Sequence, residues 1–122
     1  MVGCWDIQEE LPNGYKYISE QHTVEYEYIV FEEATSLIEE EKNTIPCKVL
    51  NYKYNERYIL AKIKFHYDMN CVVGFEESKT LTEGKIYYYI IDTKKHVRYG
   101  AYENINDFNH KLKELKINLR FE

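Results

Sequence analysis

Apolar and polar residues alternate with a period of two along several stretches of the chain, which is the pattern of a β-strand with one buried face. The clearest stretch is TVEYEYIVF at residues 23–31, where valines and tyrosines alternate with glutamates. A second strand is predicted at residues 15–19, directly after the turn-forming Pro-Asn-Gly at residues 12–14. Residues 1–14 are therefore interpreted as an N-terminal arm that leads into a sheet.

The middle of the chain predicts a hairpin and then a buried strand. Residues 45–54 and 57–67 flank an Asn-Glu pair, and both stretches have the composition of hairpin strands. Residues 85–92 (KIYYYIID) are almost continuously apolar, which predicts a central strand covered on both faces. A short strand is predicted at residues 96–99, and residues 68–84 are expected to form a polar loop.

Residues 32–43 (EEATSLIEEEKN) are compatible with a short helix or with a strand, and the pattern favours a strand at residues 36–39. A helix is expected at residues 104–116, where apolar residues recur at three- and four-residue steps. Asn104 or Asn106 is positioned to cap it.

The predicted fold class is α+β, mostly β. We expect one domain over residues 1–122, with a single antiparallel meander-type sheet or open barrel at residues 15–99. The C-terminal helix is expected to pack on this sheet.

The charges divide the chain into an acidic and a basic part. The chain has a net charge of −5, but residues 1–46 hold 11 acids and two bases. Two interpretations remain open: the two parts neutralise each other across strands, or the acids form a face that attracts a basic partner. Nucleic-acid binding is disfavoured, because no cluster of Lys and Arg stands clear of acidic residues.

Motifs of catalysis and metal binding are absent from the sequence. The four histidines are scattered, and the three cysteines form no CxxC pair. Glu25 and Glu27 share a strand face and could bind a divalent cation, although a solvated face is the simpler interpretation. We therefore predict no catalytic residue, no metal site and no cofactor. Whether Cys47 and Cys71 pair is left open.

The chain contains 13 tyrosines, and some of them must be exposed because strand residues alternate between two faces. Tyrosines beside carboxylates are typical of protein-binding surfaces. This predicts a non-catalytic protein-binding domain, and a homodimer through tyrosine-rich edges is also possible. The predicted partner-binding residues are Glu25, Tyr26, Glu27, Tyr28, Glu39, Glu40 and Glu41.

Four segments resemble a family of small bacterial lipoproteins of unknown function. They are GCWD at residues 3–6, LPNGY at 11–15, IPCKVLNYKYNERYILAK at 45–62 and YYYIIDT at 87–93. The resemblance implies a sheet closed by a C-terminal helix. It also implies that Cys4 carries a lipid if a signal peptide precedes it, which would make the chain a cell-envelope protein of structural or ligand-binding role. Without such a signal, the chain would be cytoplasmic.

Small, acidic, tyrosine-rich bacterial domains of this kind also look like immunity proteins, which inhibit a cognate toxin. By this analogy the expected partner is a basic toxin. Contact with a membrane is expected only through a lipid on Cys4.

Overall fold

The computed structural model describes residues 7–21, 25–67 and 79–121, and they form two antiparallel sheets and two helices. The first sheet has the strand order β1-β2-β3 and the second has the order β4-β5-β6-β7. The strands are β1 (Ile7–Glu10), β2 (Tyr15–Gln21), β3 (Glu25–Phe31), β4 (Val49–Tyr54), β5 (Tyr58–Lys64), β6 (Ile86–Asp92) and β7 (Val97–Tyr102). The helices are α1 (Leu37–Asn43) and α2 (Ile105–Glu114).

The two sheets share one hydrophobic core. Tyr15, Ile29 and Phe31 of the first sheet belong to the same buried cluster as Ile59 and Ile91 of the second sheet. An isolated bridge between Ile29 and Ile45 joins the segment before β4 to β3. The residues between the sheets are therefore removed from water by both of them.

A second core lies between the four-stranded sheet and α2. Leu60 and Ile90 point to the face opposite the first core, and Phe108 and Leu112 of α2 pack on them. Asn104 caps this helix, because its side chain accepts a hydrogen bond of 2.7 Å from the backbone N–H of Asn106. The fold is thus layered as sheet, sheet and helix.

The mostly β, α+β class is confirmed, but the expectation of a single sheet was imprecise, and the described strands form no closed barrel. The four-stranded sheet is apolar on both faces, because β5 and β6 bury successive residues such as Ile59 and Leu60. One helix covers only one of these faces. The second apolar face requires another layer, which the first sheet provides.

The strand predicted at residues 36–39 was wrong, since these residues begin α1. Ser36 caps the helix by accepting a hydrogen bond of 3.1 Å from the backbone N–H of Glu39. The Glu39 carboxylate in turn accepts one of 2.7 Å from the backbone N–H of Thr35. Ser-x-x-Glu is a helix-start signal, and here it outweighs the β-branched residues around it.

The remaining elements follow the prediction, except that the strand predicted at residues 96–99 is β7 at Val97–Tyr102, with His96 in the preceding turn. β4 and β5 form the expected hairpin, β6 is central in its sheet, and α2 ends within the predicted helix. Residues 7–10, which were assigned to the N-terminal arm, form β1 and pair with β2. Residues 68–78 of the predicted loop lie outside the described part of the chain, as does Cys4.

Candidate functional site

Two turns and the end of a helix meet at one end of the sandwich, and we call this region the histidine end. They are the turn at Pro12–Gly14, the turn at residues 93–96 between β6 and β7, and the C-terminal part of α1. Asn13 has a left-handed backbone, with φ of 59°, and its side-chain amide donates a hydrogen bond of 2.8 Å to Oγ1 of Thr93. Asparagine tolerates this conformation better than most residues, which explains its place in the turn.

Gly14 in the same turn is required by both conformation and space. Its φ is 92°, and a Cβ at this position would lie 2.8 Å from the side chain of Glu33. The LPNGY segment is therefore a turn that fits against neighbouring parts of the chain.

Hydrogen bonds among the side chains of Tyr15, Asn43 and His96 connect these elements. Tyr15 is fully buried, and its hydroxyl donates a bond of 2.6 Å to Oδ1 of Asn43. Nδ1 of His96 lies 3.4 Å from the same hydroxyl. A hydroxyl has one proton, so Nδ1 of His96 is the donor in the second contact. Burial is the main cause that raises the pKa of Tyr15, with the carboxylates of Asp92 and Glu39 adding to it.

The turn that carries His96 is built on Asp92. This buried carboxylate accepts hydrogen bonds from the backbone N–H groups of Lys94 and Lys95, and Arg57 contacts it through two nitrogens at 3.1 and 2.8 Å. Burial alone would raise the pKa of Asp92, but the bonds from Arg57 and the two N–H groups outweigh burial and lower it. Asp92 is therefore a structural anion.

Two cavities open beside His96. One of about 490 Å³ is lined by residues that include Asn13, Glu33 and Lys94, and the other, of about 350 Å³, lies against α1 and Lys95. The ring of His96 stacks on Phe31 with 4.4 Å between centroids. The ring that both cavities share is therefore held in place by neighbouring groups.

The predicted partner-binding residues of β3 lie on both faces of the first sheet. Glu27 has the same strand parity as the buried Ile29, and its carboxylate accepts a hydrogen bond of 3.1 Å from Tyr17 and lies 3.7 Å from Lys48. Tyr26 and Tyr28 belong to the opposite face, where the Tyr28 hydroxyl donates a bond of 2.8 Å to Glu20. The carboxylate of Glu27 thus interacts with Tyr17 and Lys48 of its own chain.

Glu25 begins β3, but its side chain lies outside the described residues. The other predicted acids, Glu39, Glu40 and Glu41, lie on α1.

On α1, the predicted acids have different roles. Glu39 caps its own helix, whereas Glu40 is exposed and Glu41 is partly exposed. Beside them, Leu37 and Ile38 are 69% and 66% exposed, more than any other large apolar side chain in the described residues. This apolar pair was missed by the sequence analysis, because residues 36–39 were assigned to a strand.

A cluster of tyrosines and carboxylates lies where Glu9 of β1 contacts tyrosines of β4, and we call it the glutamate edge. Tyr52 and Tyr54 both donate hydrogen bonds to the carboxylate of Glu9. Tyr17 stacks on Tyr52 with 4.4 Å between ring centroids. Tyr17 also bonds to Glu27, so the tyrosines of this cluster bind carboxylates of their own chain.

Cys47 is buried and forms a disulfide bond. Its sulfur lies 3.3 Å from the carbonyl oxygen of His66, a contact without a shared proton because a disulfide sulfur carries none. The chain has two other cysteines, Cys4 and Cys71, and both lie outside the described residues. The lipid-attachment prediction for Cys4 therefore stays a prediction.

No three metal-ligating side chains come together among the described residues. In the same part of the chain, neither helix has the length and apolar character needed to cross a membrane.

His96 and Tyr15 were also missed as site residues by the sequence analysis. A signal for them existed, because LPNGY and YYYIIDT were two of the segments that carried the family resemblance. The structure places the end of each segment at the histidine end, with Asn13 bonded to Thr93.

Comparison with known proteins gives a family but no function. No curated protein and no solved structure matches the chain. Residues 12–122 match the model of a family described as a protein of unknown function, DUF3997. Since the match covers nearly the whole chain, the protein belongs to this uncharacterised family.

Proposed function

We propose that the chain is a non-catalytic protein-binding domain whose contact surface is the exposed side of α1. The observation that carries the proposal is the pair Leu37 and Ile38, which leave two large aliphatic side chains in water beside Glu40 and Glu41. Exposed apolar side chains ringed by charge are a mark of protein contact sites.

Hydrogen bonds from β7 and β2 fix the position of α1 in the fold, which favours binding. Arg98 of β7 donates hydrogen bonds to the backbone carbonyls of Glu41 and Thr44 at the C-terminal end of α1. Asn43 is buried and bonded to Tyr15. A helix fixed in this way loses little conformational entropy when a partner docks.

The chemistry of the surface defines the partner. The partner would bind Leu37 and Ile38 in an apolar pocket, and basic residues around this pocket would pair with Glu40 and Glu41. A basic toxin inhibited by an immunity-type protein has this character, and we propose such a partner.

A photocrosslinking amino acid in place of Leu37, introduced in the cells that produce the protein, tests the proposal. We expect one crosslinked protein of defined size with a basic surface. Adding Glu40→Lys and Glu41→Lys should remove the crosslink, because both carboxylates then repel the partner.

The matched control places the same amino acid at Ile105, which is 42% exposed at the start of α2. We expect no crosslink to the same protein from this position. Equal crosslinks from both positions, or a crosslink that survives the charge reversal, would contradict the proposal.

A second candidate function is a lipid-anchored envelope domain, and the disulfide of Cys47 favours it. Disulfides persist in oxidising compartments and are rare in the cytosol. This candidate requires Cys4 to be free for lipid, so the partner of Cys47 must be Cys71. Mass spectrometry of the unreduced protein after proteolysis identifies the pair, and a Cys4–Cys47 bridge would exclude an anchor on Cys4.

A further inference from the structure

The cavity of about 350 Å³ beside α1 is the strongest candidate for a ligand site in the described residues. Lys42 and Asn43 line it from the helix, and Lys95 and His96 line it from the turn between β6 and β7. Its volume lies within the range of small-molecule sites. Two separate elements thus present basic side chains to one space.

Among the described residues that line this cavity, the two lysines outnumber the one carboxylate, that of Glu39. Lys42 and Lys95 form no ion pair with any carboxylate within residues 7–21, 25–67 and 79–121. Glu39 also lines the cavity, but one of its oxygens accepts two hydrogen bonds from Thr35 at the start of α1. The positive end of the helix partly offsets this carboxylate.

His96 is oriented for a ligand. Its ring stacks on Phe31, and its Nδ1 donates to the Tyr15 hydroxyl, which is itself bonded to Asn43. The remaining ring nitrogen, Nε2, is the one available to a bound molecule. The turn residues need not reorganise, because Asp92 already holds the backbone N–H groups of Lys94 and Lys95.

We propose that this cavity binds the oxyanion group, phosphate or carboxylate, of a small molecule. Lys42 and Lys95 bind the anion from two sides, and Nε2 of His96 donates to it from the ring that carries both protons, because Nδ1 already holds the one proton of the neutral ring. Charge-assisted hydrogen bonds of this kind are the strong ones, and lysine is a common ligand of phosphate. The proposal goes beyond protein binding and needs no protein partner.

Titration of the ¹⁵N-labelled full chain with inorganic phosphate and, separately, with citrate tests the proposal by NMR. Sodium chloride keeps the ionic strength constant. We expect saturable shifts of the His96 ring and the Lys95 amide signals. The double variant Lys42→Met and Lys95→Met should bind roughly tenfold more weakly or worse, because two charge-assisted contacts are lost.

The control double variant is Lys64→Met and Lys113→Met, which removes two exposed lysines outside the cavity. We expect it to bind like the unmodified chain. Tighter binding of phosphate would identify a phosphorylated ligand, and tighter binding of citrate a carboxylate. Shifts that do not saturate, or that weaken equally in both double variants, would overturn the proposal.

A further variant, His96→Asn, tests the role of the ring. Asparagine tolerates the left-handed backbone at this position, where φ is 56°, so the turn should persist. We expect weaker anion binding with unchanged amide signals in α2, which packs on the other face of the four-stranded sheet. Unchanged binding would remove His96 from the site.

Discussion

Tyr15 and Tyr17 lie two residues apart on the same face of β2, yet they belong to different environments. Tyr15 is fully buried at the histidine end and donates to the neutral Asn43. Tyr17 is half-buried at the glutamate edge and donates to the charged Glu27. Burial, and then the Glu27 carboxylate, raise the pKa of Tyr17 to about 12.

The comparison shows that one residue type in one pattern serves two purposes. At the histidine end the tyrosine hydroxyl joins the buried Asn43 to the exposed His96, and so orients side chains beside two cavities. At the glutamate edge the hydroxyls bind carboxylates that can also reach water. We therefore expect changes at the histidine end to cost far more stability than equivalent changes at the glutamate edge.

The largest expected effect is that of Asp92→Ala at the histidine end. It removes the partner of Arg57 and the acceptor of two backbone N–H groups, so we expect a loss of about 3 kcal/mol in the free energy of unfolding. Urea denaturation measures it. If Asp92→Ala lowers the free energy of unfolding by less than Tyr15→Phe does, Asp92 is not the main stabilising residue of the histidine end.

Acid denaturation is the control for Asp92. Its folded-state pKa lies below the ordinary value of 3.8, so its contribution to stability is present above that value. The contribution is lost as the pH falls through the lower, folded-state pKa. In Asp92→Asn the part of the acid sensitivity that comes from Asp92 should be absent, and an unchanged acid profile would argue against this assignment.

Tyr15→Phe is expected to have the second-largest effect. It leaves Oδ1 of Asn43 buried without its donor, which costs about 2 kcal/mol. The change should also shift the NMR signals of the His96 ring, since Nδ1 loses its acceptor. A stable variant with an unaltered His96 would break the proposed network.

Tyr17→Phe should cost only about 0.5 kcal/mol, because Glu27 keeps Lys48 and water as partners. The stacking on Tyr52 is preserved by the phenylalanine ring. This variant is the matched partner of Tyr15→Phe in the same denaturation assay. Equal losses for the two variants would remove the distinction between the histidine end and the glutamate edge.

The smallest effect on stability is expected for Leu37→Ser combined with Ile38→Ser. Both side chains are mostly in water, so the free energy of unfolding should change by less than about 0.5 kcal/mol. In a pull-down, this variant should nevertheless fail to retain the partner protein that crosslinking from position 37 identified in the parent chain. A large loss of stability would show that the pair packs inside the fold instead.

Local patterns in the sequence determined much of the fold. Period-two alternation located most strands, the apolar run at β6 indicated a central strand, and the stripe of Phe108 and Leu112 located α2. These features depend on residues close in sequence and on the burial of one face. Such a pattern identifies a strand or helix without information on which element packs against its apolar face.

The tertiary structure decided what the patterns leave open. Alternation assigns Glu27 to a face, but only the packing of the sheets shows that Tyr17 and Lys48 meet its carboxylate. The two-sheet arrangement and the His96 cavities likewise depend on contacts between residues far apart in the chain, such as Asn13 and Thr93. Such contacts form because separate apolar faces must cover one another, and a local period carries no information on which faces meet.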